Sequence, residues 1–188
     1  MTGGNNRRTV IVLAAAVAVA VVVAAVALLL RDDDSPPAGL ADVNTYSDLE
    51  RDHVEGTVDY PQSPPVGGPH DPVWLNCGVY DRPVRVENAV HTLEHGALWI
   101  TYQPSLSADE IDSLADKLPE KGLLSPYDDQ DAPVVVTVWG AQLALDGPDD
   151  SRLDLFIDEY SDGHTSPERD VTCQGGVERF ADEDEGNA

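Results

Sequence analysis

The stretch with the densest chemistry is His91-Thr92-Leu93-Glu94-His95-Gly96. It holds two of the five histidines, four residues apart, with a carboxylate between them. On a helix, positions i and i+4 share a face, so the two imidazoles stand side by side. Neutral imidazole is the commonest metal ligand, and such a pair is a standard half-site. The other histidines, His53, His70 and His164, lie in loop contexts. A loop histidine, His70 before His53, is expected to close the site. Glu94 then acts as a direct ligand or as the partner that orients a ring. The expected metal set is therefore His91, His95, His70, Glu94 and His53, with zinc or copper as the ion.

Two other readings fit the same residues. His-x-x-Glu-His is the spacing of one class of zinc peptidases, with His91 and His95 as ligands and Glu94 as general base. Glu168 or Asp170 would be the third ligand. Against it, Gly96 ends the helix at once, and the domain is small for a protease cleft. Alternatively, the histidines are internal hydrogen-bonding struts that stitch Gly/Pro loops to the core, as in a structural or interaction domain of the cell envelope. The sequence shows no phosphate-binding glycine loop, nucleophile elbow or dinucleotide fingerprint, so it names no catalytic residue. Cys77 and Cys173 are the only cysteines. Outside the cytoplasm an even count reads as a disulfide. The competing reading is a thiolate metal site, because each cysteine follows a histidine: His70 with Cys77, and His164 with Cys173.

The elements that must present these residues follow from periodicity and punctuation. His53 to His70 holds four prolines and three glycines, which exclude a helix and leave an ordered loop or irregular edge strand. Residues 71–80 read as a short strand and turn, and 82–86 as another short strand. Glu87 to His95 reads as a short helix, with Glu87 in its first turn, Val90 and Leu93 inward, and Gly96 as its cap. Ala97 to Tyr102 is a strand. Ser107 to Leu118 is a helix with a capping box at Ser107 and Glu110 and an apolar stripe of Ile111, Leu114, Ala115 and Leu118. Pro133 to Trp139 is the predicted central strand. Residues 140–145 begin a further segment, and Ser151 to Tyr160 forms an amphipathic helix. Trp74, Trp99 and Trp139 are expected to fill the core. The expected fold is a small α+β sandwich of about four strands.

Before this domain, residues 1–9 are polar and carry Arg7 and Arg8, and Val10 to Leu30 is unbroken apolar sequence. As a helix that run spans roughly 30 Å, the thickness of a bilayer core. It reads as an uncleaved transmembrane helix, residues 10–30. The positive-inside rule then puts the N-terminus in the cytoplasm and the rest outside the cell membrane. The twin arginine also resembles a twin-arginine export signal. Residues 31–50, with Asp32-Asp33-Asp34 and Pro36-Pro37, read as a stiff linker. The domain is expected at 51–177, followed by an acidic disordered tail at 178–188.

Formal net charge is −24, and only two of the eleven basic residues, Lys117 and Lys121, are lysine. Such a surface repels nucleic acid, and no basic stripe offsets it. Adaptation to high salt, an acidic Arg-over-Lys composition, or attraction of cations would each produce this balance.

Several landmarks together carry a resemblance. His53, Tyr60, Pro64-Pro65, Gly68-Pro69-His70, Trp74, Cys77-Gly78-Val79-Tyr80 and His91-x-Leu93-Glu94-His95-Gly96 resemble a membrane-anchored prokaryotic family, domain of unknown function 3105. The match continues through Tyr102 and Pro104 and, more loosely, to Pro167-Glu168 and Cys173. Val66 and Gly67 stand where hydroxyl residues are expected. The resemblance implies one anchor and one outer domain, and no activity.

Overall fold

A β-branched run that alternates between two buried environments makes a central strand, and here it sits near the middle of a mixed sheet. The computed structural model describes residues 39–183, all within the unit Pro36–Ala188. In chain order it forms β1 (Asn44–Thr45), β2 (Gly78–Val79), α1 (Val86–Glu94), β3 (Leu98–Tyr102), α2 (Ala108–Asp116), β4 (Gly122–Pro126), β5 (Val134–Val138), β6 (Ala141–Leu145) and α3 (Arg152–Tyr160). A 3-10 turn follows at Ala181–Glu183. The strands form one sheet in the order β1-β6-β5-β3-β4-β2. The β3–β4 and β2–β4 pairs are parallel and the others antiparallel. The fold is α+β.

Helices cover both faces of the sheet, because alternate residues of a strand point to opposite sides. Leu98, Ile100 and Tyr102 of β3 join Val134, Val136 and Val138 of β5 on one face. Leu114 of α2 and Leu153, Phe156 and Tyr160 of α3 seal that face. On the other, Trp99 and Leu123 meet Ala89, Val90 and Leu93 of α1, with Leu75, Tyr80, Val84 and Trp139 around them. Polar groups enter this second layer: Trp99 Nε1 donates to Ser125 Oγ at 3.0 Å, and the half-buried Gln142 amide donates to Pro64 O at 2.9 Å and Thr137 Oγ1 at 3.0 Å.

The structure differs from the sequence reading in several places. Residues 40–50 are not wholly linker. Leu40 is fully buried in the first core, and Asn44–Thr45 pairs with β6. The strand read at 82–86 is only an isolated bridge, Val84 to Phe180, which also draws the start of the supposed tail onto the domain. Likewise 71–80 contributes just β2 and a bridge from Leu75 to Val177. β4 was not foreseen, and the sheet has six strands among the described residues instead of about four. The predicted segment 1–9, the transmembrane helix 10–30, the linker up to residue 38 and the end of the tail beyond 183 lie outside the described residues. Among the described residues no helix is long and apolar enough to cross a membrane.

Candidate metal centre

The helix α1 is buried along almost its whole length. An apolar face toward the sheet explains only half of that, so the polar face must be covered by chain with hydrogen bonds to match. The loop 71–75 does this. Leu75 N donates to Asn88 O and Thr92 Oγ1, Thr92 Oγ1 donates to Leu75 O at 2.7 Å, and the Asn88 amide donates to Val73 O. The loop from His53 is laid alongside through a backbone bridge between His53 and His70: Val54 N donates to His70 O at 2.8 Å, and His70 N to Asp52 O at 3.0 Å. Gly96, with φ of 86°, takes the left-handed conformation that turns the chain out of α1 into β3. Thus His91 and Glu94 project from α1 toward His53 and His70, while His95, at the helix end, turns to the segment around Glu168 and Thr172.

His53, His70, His91 and Glu94 each bring one ligand atom within 4.8 Å of the other three. His70 Nε2 lies 3.0 Å from Glu94 Oε2, and His53 Nε2 lies 4.0 Å from it. His91 stacks on His53 with ring centroids 4.9 Å apart, and His70 tilts against His91 at 4.8 Å. His70, His91 and Glu94 are buried, whereas the His53 side chain is 51% exposed. His95 stands on the other side of His91, with Nε2 to Nε2 at 3.1 Å. It belongs to the surroundings of His91 and not to the mutually close four. His164 is away from the group, stacked on Tyr160 and paired with Asp162.

The second ring nitrogen fixes the chemistry of the first. His70 Nδ1 is 2.8 Å from Gly68 O, His91 Nδ1 is 2.7 Å from Asp71 O, and His95 Nδ1 is 2.9 Å from Thr172 O. A carbonyl only accepts, so each Nδ1 carries a proton, and Nε2 is the ring atom turned toward the cluster. Burial pushes the His91 pKa down to about 4; the Asp71 carbonyl opposes this, and His70, His95 and His53 add to it. Burial likewise lowers His95, against the pull of the Thr172 carbonyl and of Glu168 and Glu94. Both rings are therefore neutral at pH 7. His70 Nε2 has no hydrogen-bond partner, although Glu94 Oε2 is close enough for an ion pair. The oxygen is near but not aligned for an N–H···O bond. A buried ring nitrogen without a hydrogen bond beside a buried carboxylate, and two neutral imidazole nitrogens facing each other, make an arrangement that a cation relieves.

Asp71 and Arg85 escaped the sequence reading. Asp71 holds His91 through its carbonyl, while its buried carboxylate pairs with the buried Arg85 guanidinium. Arg85 also donates to Asn88 Oδ1 at 3.2 Å and Gly56 O at 2.8 Å. Glu87, read as a first-turn charge, instead accepts from Val58 N at 2.9 Å, so it pins the first loop to α1. Nothing in the local sequence marked these roles, beyond the position of Asp71 next to His70. Glu168, third ligand in the peptidase reading, comes 3.7 Å from His95 Nε2 and holds its backbone N–H on Glu94 O at 3.0 Å. Of the three tryptophans, Trp99 and Trp139 are buried, while Trp74 packs beside His91 and His95.

Cys77 and Cys173 form a disulfide across 96 residues of sequence, which rules out the thiolate metal site. Cys77 N donates to Cys173 O at 3.0 Å, so the cross-link aligns the segment whose Thr172 carbonyl holds His95.

No curated protein and no solved structure matches the chain. A family model described as protein of unknown function (DUF3105) matches residues 53–175, a span that begins at the first histidine of the cluster and ends just past Cys173. The cluster, the disulfide and α1 all fall inside this match, and the chain belongs to the DUF3105 family.

Proposed function

We propose that this domain binds one transition-metal ion, zinc or copper, through His53, His70, His91 and Glu94. The observation that carries the reading is the buried His70 Nε2, which has no hydrogen-bond partner and lies 3.0 Å from the buried Glu94 carboxylate. Three imidazoles and one carboxylate suit zinc, copper, iron or nickel by donor type. The four atoms, up to 4.8 Å apart, stand wider than the roughly 3.3 Å between nitrogens of a tetrahedral zinc site. Binding therefore draws the group inward, and the half-exposed His53 is the member with room to move. Placing Glu94 among the ligands removes the free general base that a peptidase needs. The geometry thus favours binding over hydrolysis.

The same reading places the domain outside the cytoplasm, on a single-pass anchor at residues 10–30 with the N-terminus inside. The disulfide supports that compartment, because such bonds persist where thiols are not kept reduced. Protease treatment of intact cells should digest the domain; protection of everything beyond residue 30 would refute the orientation.

A second reading, the histidines as struts, draws on the three Nδ1 contacts to backbone carbonyls. Elemental analysis of the full-length chain, purified without a polyhistidine tag, separates the two. One ion per chain supports binding. Glu94→Gln should then weaken metal affinity by about 100-fold or more, at or beyond the upper end of what loss of an outer-shell partner costs. A metal-free protein whose melting temperature drops in Glu94→Gln, with no response to added zinc or copper, would support the strut.

A further inference from the structure

We propose that His95 and Glu168 form an outer station for the metal ion, which passes from there to the four-donor site by way of His91. This deepens the metal-binding reading and rests on it. The inner group is shut on three of its four members, since His70, His91 and Glu94 are buried. An ion therefore needs a route that offers replacement ligands as it sheds water.

His95 supplies the first. Its Nδ1–H is held by Thr172 O, so its Nε2 lone pair faces that of His91 across 3.1 Å. Two Zn–N bonds of about 2.0–2.1 Å at a tetrahedral angle hold their nitrogens roughly 3.3 Å apart, so this separation suits one shared ion. Glu168 supplies the second, with Oε2 3.7 Å from His95 Nε2 and a half-exposed side chain. Its backbone N–H on Glu94 O anchors it to the end of α1. Farther out, Glu168, Asp170 and His164, alongside Arg169, line a surface depression of about 270 Å³. Lys121 is close, but its ammonium donates to three carbonyls, those of His95, Arg169 and Val171, and so closes the rim onto the helix end instead of projecting into the path.

His91 is common to both sets. Transfer is then a ligand exchange in which His95 and Glu168 let go as His70, Glu94 and His53 take hold. No electron moves, and every ring keeps its Nδ1 proton. A route of this kind speeds loading and release alike and leaves their ratio unchanged.

Stopped-flow mixing of the metal-free, full-length chain with cobalt(II) chloride, read by visible absorption, measures loading; a chelator chase measures release. Glu168→Gln, at an exposed position that does not threaten folding, should slow both by the same factor, about tenfold. His95→Gln should slow both further. Wild-type rates in both variants would overturn the proposal in favour of access past His53. Release that speeds up would overturn it too, by making these residues ligands of the resting site. In either case the inner site stands. A wild-type chain that takes up no cobalt would overturn both the route and the metal-binding reading beneath it.

Discussion

The two faces of the sheet solve different problems with one set of strands. On the α2/α3 side the buried layer is apolar, with ion pairs such as Lys117–Asp154 only at its edge, and Leu98, Ile100, Val134, Val136 and Phe156 interdigitate as in any core. On the α1 side the same strands present Trp99 and Leu123, but the covering layer is a single short helix and long Gly/Pro loops held by hydrogen bonds, ion pairs and a disulfide. The first face is held by area removed from water. The second is held by specific partners and leaves four donor groups converging in its interior. Apolar packing tolerates shape changes but offers no chemistry, whereas a polar layer offers chemistry only while each partner stays in place.

The largest effect should come from the cross-link. Replacing both Cys77 and Cys173 by alanine should lower unfolding free energy by about 4–5 kcal/mol, since the bond closes 96 residues. Urea denaturation measures it, and metal affinity should fall along with it. Phe156→Ala should cost about 3–5 kcal/mol by opening a cavity on the other face. Metal stoichiometry should not change. A variant that loses metal here would break the contrast between the faces. Asp71→Asn should cost about 2 kcal/mol by removing a charged hydrogen-bond partner from the buried Arg85 guanidinium, which keeps Glu87 Oε2 at 3.5 Å, and should also weaken metal affinity by loosening the carbonyl under His91. Equal stability with normal affinity would show that this pair positions nothing.

The last effect is a dependence on pH. Burial holds the His91 pKa near 4, below its ordinary 6.5, so protonating the folded state costs free energy. The metal-free chain should keep this stability above pH 6.5 and lose it progressively as pH falls toward 4. Added zinc should move the loss to lower pH. A melting temperature flat across that window in metal-free protein would contradict a buried neutral His91.

Much of this was legible in the sequence wherever the signal was local. The capping box at Ser107 and Glu110 marked α2, and Glu110 does accept from Ser107 N at 2.8 Å. The run Val134 to Val138 marked the strand beside the middle of the sheet. The i, i+4 spacing of His91 and His95 marked the face of α1, and the paired cysteines marked the cross-link. What was hidden depended on distant partners. β4 ends on Pro126 and carries no alternation, because both of its faces are buried against helices. β1 has two exposed residues and exists only through its pairing with β6. The split of the histidines could not be read from spacing either. His91 turns to His53 and His70, whereas His95 turns to Thr172 and Glu168, nearly eighty residues farther on.

X-ray absorption at the zinc edge of the zinc-loaded chain tests the central claim most directly. Ligation by His53, His70, His91 and Glu94 gives only nitrogen and oxygen neighbours at about 2.0–2.1 Å, with imidazole scattering from three rings in the wild type and two in His70→Ala. Sulfur at about 2.3 Å, or a wild-type ring count in His70→Ala, would contradict it.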